Sequence, residues 1–134
     1  MKLTTSKALI TALLLGLLLL SGCASHDEQE IAEALADSRA AFIDSQAPYP
    51  KIDAYQIIQA YASGNTVKMN IIYSGKSRVS PSNAVKTAAK NYCNDKEIKP
   101  LFDNGVNYLI TIKDISGRTM AQQAVSKESC EELN

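Results

Sequence analysis

Three cysteines and a single histidine are the side chains of this 134-residue chain with the most informative chemistry. Thiols at Cys23, Cys93 and Cys130 can carry a lipid, pair as a disulfide or bind a metal ion, and the imidazole of His26 can act as a base. The cysteines form neither a CxxC pair nor a cluster with zinc-ligand spacing. His26 stands alone close to Cys23, where a solvated histidine is more common than a catalytic one. The sequence therefore predicts no metal site and no cofactor.

Signatures of enzymes are also missing from the sequence. It contains no G-x-S-x-G elbow, no Gly-rich phosphate loop and no H-E-x-x-H motif. Its acidic pairs, Asp27-Glu28 and Glu131-Glu132, are adjacent in sequence, and adjacent carboxylates on a helix do not face each other as an acid and base pair must. We therefore predict a protein that is not an enzyme. An envelope enzyme stays open as an alternative, which would require a cleft with titratable groups of perturbed pKa.

Composition excludes some partners. The chain has 14 basic and 14 acidic residues, and it is 46% hydrophobic and 21% charged. These values describe one small globular domain without the basic excess of a nucleic-acid binder. We therefore expect no nucleic-acid partner.

The first 22 residues have the pattern of a signal peptide. Lys2 and Lys7 precede an uncharged apolar run, residues 8–20, which is too short for a membrane span of about 20 residues. The sequence Leu20-Ser21-Gly22-Cys23 that follows resembles the bacterial lipobox, which implies removal of residues 1–22 and acylation of Cys23. A single mature domain of residues 23–134 would remain. An ordinary signal peptide followed by a chance cysteine is the alternative.

The residue after Cys23 predicts where the lipoprotein goes. The residue directly after Cys23 is Ala24, whereas an aspartate at that position would resemble an inner-membrane retention signal. By analogy, the lipoprotein sorting machinery should deliver the protein to the outer membrane. We therefore predict a lipid anchor in the outer membrane, with the domain facing the periplasm.

The two other cysteines suit an exported protein. In an oxidising compartment, paired cysteines persist as disulfides, and with Cys23 lipidated only Cys93 and Cys130 can pair. A structural disulfide is therefore predicted.

Hydrophobic periodicity predicts two main helices. The first should run from Ser25 to about Asp44, with Ile31, Leu35 and Phe42 on one stripe. The second should begin at Ser80-Pro81, an N-cap followed by proline at the first helical position, and end at Cys93. Residues 95–102 are predicted as a short helical piece broken by Pro100.

Alternating patterns predict the strands. Residues 66–73 and 106–113 alternate clearly, residues 118–126 form a weaker strand, and residues 52–62 fit a helix or a strand until the following Ser63-Gly64-Asn65 hairpin favours the strand. The predicted fold is α+β: an antiparallel sheet of four to five strands with helices packed on one face and one disulfide. One sheet face is rich in apolar residues and should be buried. The opposite face is mixed and carries Ile72 and Leu109.

These motifs, taken in order, resemble a known family. The lipobox ending at Cys23, the stretch SGNTVKMNII at residues 63–72, Cys93, the stretch NGVNYLITIKD at residues 104–114 and the closing Ser129-Cys130 resemble the AspS, or GspS-beta, pilotins of type II secretion. The resemblance implies a small lipoprotein that binds the C-terminal S-domain of the secretin subunit. It also implies that the protein targets this subunit to the outer membrane and promotes its assembly there.

Two surfaces are candidates for binding the partner. One is the stripe Ile31, Leu35 and Phe42 of the first helix, although a role in the core is the preferred interpretation of these three. The other is the mixed sheet face around Ile72 and Leu109. The alternative function is that of another periplasm-facing binding or inhibitor lipoprotein, which would share the anchor and the disulfide without binding a secretin.

Overall fold

The computed structural model describes residues 23–133, so the predicted signal peptide, residues 1–22, lies outside the described residues. The secondary-structure elements follow one another as α1 (Cys23–Ser45), β1 (Tyr55–Ser63), β2 (Thr66–Tyr73), α2 (Pro81–Asn94), α3 (Lys99–Asp103), β3 (Asn107–Asp114), β4 (Thr119–Val125) and α4 (Lys127–Leu133). The predicted helices and strands are present, β2 with the predicted bounds and the others with shifted ends, and α4 is an element that the sequence analysis did not predict. In the described part of the chain, no helix is both long and apolar enough to cross a membrane.

The four strands form one sheet in the order β1-β2-β3-β4. The β1–β2 and β3–β4 pairs are antiparallel, as predicted, but β2 and β3 are parallel, with Val67 opposite Tyr108 and Ile71 opposite Ile112. The prediction of a wholly antiparallel sheet is therefore wrong at its central pair. The reason is the connection from β2 to β3, which contains α2 and α3 and is long enough to cross back to the starting end of the sheet. The α+β class, the four strands and the helices on one face are confirmed.

Helix α1 packs on β1 and β2 through small residues rather than through the predicted stripe. Its buried side chains recur every three or four positions and are Ala32, Ala36, Ala40 and Ile43. Ile31 and Phe42 are 53% and 56% exposed, and Leu35 is half-buried at the edge of the core. The preferred assignment of this stripe to the core is therefore wrong for Ile31 and Phe42. Alanines on the inner face allow the helix axis to lie close to the sheet, since the distance between packed elements depends on the side chains at the contact.

Helix α2 covers the other half of the same sheet face, next to β3 and β4. Ser80 is its N-cap, and its side chain accepts a hydrogen bond from the amide of Asn83 at 3.3 Å. The helix buries Val85, Ala89 and Cys93. Its last turn is bonded to α4 by the Cys93–Cys130 disulfide, with a Cα–Cα distance of 5.4 Å, which confirms the predicted pairing.

Aromatic side chains fill the centre of the core. Tyr108 is 1% exposed and makes edge-on contacts with Tyr92 and Phe102 at centroid distances of 5.1 and 5.9 Å. Its hydroxyl accepts a hydrogen bond from Nε of Arg39 at 3.1 Å. Since a buried hydroxyl without a partner is costly, this bond both satisfies Tyr108 and fixes α1 on the sheet.

Candidate functional site

An apolar groove remains open on the core face of the sheet, at the end where α1 and α2 leave the strands uncovered. Its floor is a row of three isoleucines from neighbouring strands: Ile57 of β1 lies opposite Ile71 of β2, and Ile71 lies opposite Ile112 of β3. The groove encloses about 530 Å³. A volume of this size lies within the range of about 300–1,000 Å³ that is usual for binding pockets.

One wall of the groove is a face of α2. Ala84, Thr87, Ala88 and Asn91 line it, at positions i, i+3, i+4 and i+7 of the helix. This spacing places them on one side of the helix, next to the side that is buried in the core. Since Ala84 and Ala88 are small, the backbone of a bound segment can approach α2 closely.

The opposite wall is the connector between α1 and β1. Its backbone is held against β1 by a hydrogen bond from the amide of Tyr49 to the carbonyl of Ile57, at 3.0 Å, and by a bond from the Gln56 side chain to the carbonyl of Tyr49, at 2.8 Å. A tight turn follows, in which Ile52 and Tyr55 exchange two backbone hydrogen bonds of 2.9 Å. The turn leaves the Ile52 side chain 78% exposed at the lip of the groove.

A loop after β2, residues 74–79, closes one end of the groove. The Tyr55 hydroxyl donates a 2.6 Å hydrogen bond to the carbonyl of Val79, and the Ser77 hydroxyl donates to the carboxylate of Asp53. Burial, together with the neighbouring Tyr73, raises the pKa of Tyr55, which favours the protonated hydroxyl that donates this bond. The two loops, residues 49–54 and 74–79, are therefore joined by side-chain hydrogen bonds into one frame.

The chemistry of the groove is that of a binding surface. Among the described residues that line it, Asp53 is the only charged one, and its carboxylate is occupied by Ser77. Across residues 26–133, the side chains do not bring together three or more potential metal ligands. His26 lies exposed on α1, with its Nε2 atom 3.2 Å from Oε1 of Glu30. The groove can therefore bury an apolar segment but presents no acid and base pair.

The residues predicted as sites from the sequence do not meet in one place. Cys23 is the first residue of α1, and its side chain is outside the described part. Ile31 and Phe42 are exposed on α1, with Leu35 half-buried between them. Ile72 and Leu109 are half-buried on the sheet face opposite the helices. None of these five apolar residues lines the groove.

The sheet face around Ile72 and Leu109 is largely occupied by pairs of its own side chains. The Asn70 amide donates to Gln59 at 3.0 Å, and the Gln122 amide donates to the hydroxyl of Thr111 at 2.9 Å. The Lys68 ammonium lies 5.9 Å from the ring centre of Tyr61. These polar pairs cover strand positions that would otherwise be free to contact a partner.

The groove residues were missed because their signals in the sequence are weak. Ile52 stands at the start of the predicted strand, residues 52–62, and Val79 is an isolated apolar residue in a polar loop, of a kind that is common on any surface. Ala88 belongs to an ordinary helical stripe with Val85, Ala89 and Tyr92, and Ala84 lies beside that stripe. The one usable signal is the alternating pattern of the strands that contain Ile71 and Ile112, and it predicts burial of these two residues under helices rather than an opening beside them.

Comparisons with known proteins agree on one family. The family model for the type II secretion system (T2SS) pilotin, S protein, matches residues 28–130. Pilotin AspS 2 of Escherichia coli O78:H11 (strain H10407 / ETEC) and lipoprotein YghG of Escherichia coli (strain K12) are each 34% identical over 126 residues, covering 92% of this chain and 90% of the relative.

Solved structures agree with these sequence matches. The type II secretion system pilotin AspS from Vibrio cholerae superposes with a TM-score of 0.71 at 29% identity, covering 80% of this chain and 99% of that one. The type 2 secretion system pilotin EpsS from Vibrio vulnificus gives a TM-score of 0.70 at 22% identity, with 78% and 96% of the two chains covered, and supports the fold alone.

Proposed function

This chain belongs to the family of type II secretion system pilotins, and from that premise we propose that it binds the C-terminal S-domain of a secretin subunit. The proposal extends to the consequence of binding. The protein carries the subunit to the outer membrane and promotes its assembly there, without catalysing a reaction.

The apolar groove is the observation that supports this function best. A short amphipathic helix is typically held by apolar anchors at i, i+3, i+4 and i+7 laid into a hydrophobic groove. The isoleucine floor offers contact to such anchors, and the small residues of α2 allow the partner helix to lie close. We therefore assign the S-domain segment to this groove.

The lipid anchor would attach the protein, and the secretin subunit bound to it, to the outer membrane. Burial of acyl methylenes contributes about 0.8 kcal/mol for each CH₂, so one chain binds a membrane marginally and several chains bind it almost irreversibly. Acylated Cys23, delivered by the lipoprotein sorting machinery, would hold the domain on the periplasmic side of the outer membrane. Because α1 begins at Cys23, the anchor is continuous with the helix that packs on the sheet.

The first test of the proposed docking site is a substitution that fills the groove with a larger side chain. Replacing Ala88 with Phe should weaken binding of the secretin S-domain at least about tenfold, because the new ring occupies the space of a partner side chain at the centre of the groove. The measurement is a titration of the protein, purified in detergent, with the S-domain. Ser82→Phe is the matched control, because Ser82 is exposed on the same helix and does not line the groove.

A second variant removes the risk that Ala88→Phe fails to fold. Ile52 is 78% exposed at the lip, so Ile52→Glu should leave the melting temperature nearly unchanged while it weakens binding. Wild-type affinity in both groove variants would exclude the groove as the docking site. No binding by the wild-type protein would favour another periplasm-facing binding or inhibitor lipoprotein.

The two surfaces predicted from the sequence remain predictions, and the same titration tests them. Phe42→Glu tests the α1 stripe that also contains Ile31 and Leu35. Ile72→Glu and Leu109→Glu test the opposite sheet face. Loss of binding in these variants, with normal binding in the groove variants, would transfer the docking site to the surface concerned.

A further inference from the structure

Charge is distributed very unevenly along the folded chain. Helix α1 contains six acidic residues and one basic residue, Arg39. Residues 46–94, which form the connector, β1, β2 and α2, contain six basic residues and one acidic residue, Asp53. The acidic helix and the basic segment therefore present opposite charges to a partner.

Half of the basic residues in this segment lie in the two loops that frame the groove. Lys51 stands between Pro50 and Ile52, which both line the groove. Arg78 directly precedes Val79, which also lines it, and Lys76 lies two positions before Arg78. All three are exposed. Within residues 26–133, none of them forms an ion pair.

From this distribution we propose that the groove selects an acidic amphipathic segment, with carboxylates placed beside its apolar anchors at the end framed by the two loops. The inference rests on the proposed function and adds the chemical class of the segment that is bound. Asp53 does not cancel the basic frame, because its carboxylate accepts the Ser77 hydroxyl and there are three cations to one anion in the two loops.

The same charge distribution favours binding of an acidic segment at the groove over binding at the other apolar surface, the α1 stripe. On α1, Asp27 and Glu28 lie one turn before Ile31 of the exposed stripe. Arg39, which lies over the Phe42 ring, is the one basic residue of the helix against six acidic ones, so the net charge of α1 repels an acidic segment. At the groove it is attracted. Complementary charge of this kind steers the encounter and suppresses wrong docking more than it adds affinity.

The experiment measures binding of the secretin S-domain to the protein purified in detergent, at 0.1 M and 1 M NaCl. The Debye length falls from about 10 Å to 3 Å over this range, so attraction between exposed charges is largely screened. We expect affinity to fall by roughly 3- to 10-fold at high salt, and Lys51→Glu and Arg78→Glu each to weaken binding by a similar factor at low salt.

Lys96→Glu is the matched control, because it makes the same change of net charge at an exposed residue that does not line the groove. Its affinity should stay within about twofold of the wild type. Melting temperatures of all three variants check that they remain folded. Lys76 is left unchanged, because its φ of 60° makes substitution at that position a test of the backbone as well.

The outcomes separate the two proposals. Binding that is equal at both salt concentrations and in both reversal variants would overturn the acidic-segment inference and leave the proposed function intact. The acidic-segment inference would also be overturned if Lys96→Glu weakened binding as much as Lys51→Glu and Arg78→Glu do. Absence of binding by the wild-type protein would overturn both.

Discussion

At the scale of single residues, Asp114 is a side chain whose ionisation the turn after β3 controls through hydrogen bonds. It ends β3, and its carboxylate accepts hydrogen bonds from the amide and hydroxyl of Ser116, at 2.9 and 2.6 Å. Arg118 donates its amide at 3.0 Å and its Nε at 2.9 Å. These bonds, with the Ser116 hydroxyl first, lower the pKa of Asp114 to about 2. The charged form therefore stabilises the turn between β3 and β4.

Replacing Asp114 with Asn should lower the melting temperature at pH 7, because the amide cannot accept all four hydrogen bonds. A carboxyl with a lowered folded-state pKa contributes stability above its unfolded pKa of about 4 and loses it as pH falls toward 2. The difference between the wild type and Asp114→Asn should therefore shrink across this window. Thermal unfolding at pH 7 and at stepwise lower pH measures it, with Asp37→Asn on exposed α1 as the control. A difference that persists unchanged at pH 2 would contradict the prediction.

At the scale of elements, α1 shows how side-chain size decides which face is buried. Its larger apolar residues, Ile31 and Phe42, are on the outside, and Ala36 and Ala40 are fully enclosed. The guanidinium of Arg39 lies 5.5 Å from the Phe42 ring centre and donates to Tyr108. The helix is therefore placed by close packing of small residues and by one polar contact.

Ala36→Leu should destabilise the domain by about 1–3 kcal/mol, because a fully buried alanine leaves no room for three more carbons. Ala34→Leu is the matched control on the exposed side of the same helix and should change the free energy of unfolding by less than about 0.5 kcal/mol. Denaturant unfolding measures both. Equal stability of the two variants would contradict the assignment of the buried face.

At the scale of the whole molecule, the predicted anchor and the groove are both tied to the single sheet. Helix α1 begins at Cys23 and packs on β1 and β2. The groove lies on the same sheet face, between the connector that follows α1 and helix α2. The disulfide closes the other side of the domain, and a loop of 37 residues corresponds to about 4 kcal/mol in the chain-entropy model. The groove borders the connector that follows the last residue of α1, so the length of this 23-residue helix, about 34 Å, lies between Cys23 and a partner bound in the groove.

Cys23→Ser should remove the acyl anchor and leave a folded domain that is soluble or wrongly cleaved. The secretin should then remain at the inner membrane. Membrane fractionation, followed by detection of both proteins, measures this outcome, and Ala24→Ser controls for a change next to the cleavage site. If the Cys23→Ser protein still delivered secretin to the outer membrane, the carrier role would be wrong.

The sequence predicted most of the local structure. Residues 66–73 were identified as a strand with the bounds that the structure has, and α2 was placed between its Ser80 cap and Cys93 within one residue. Cys93 and Cys130 were paired correctly. These conclusions depend on the alternation of neighbouring residues, on the chemistry of a helix cap and on the small number of cysteines. All of these features are visible in the sequence without knowledge of the fold.

The remaining features depend on residues that are distant in sequence, and only the tertiary structure decided them. The parallel pairing of Ile71 with Ile112 depends on where the α2 and α3 connection returns to the sheet. The buried face of α1 depends on how closely its alanines fit that sheet, since hydrophobic periodicity measures only the size and polarity of side chains on one helix. The groove exists because α1 and α2 cover different strands and leave Ile57 and Ile71 partly exposed, beside the buried Ile112. Packing of separate elements creates that opening, and no local pattern in the sequence encodes it.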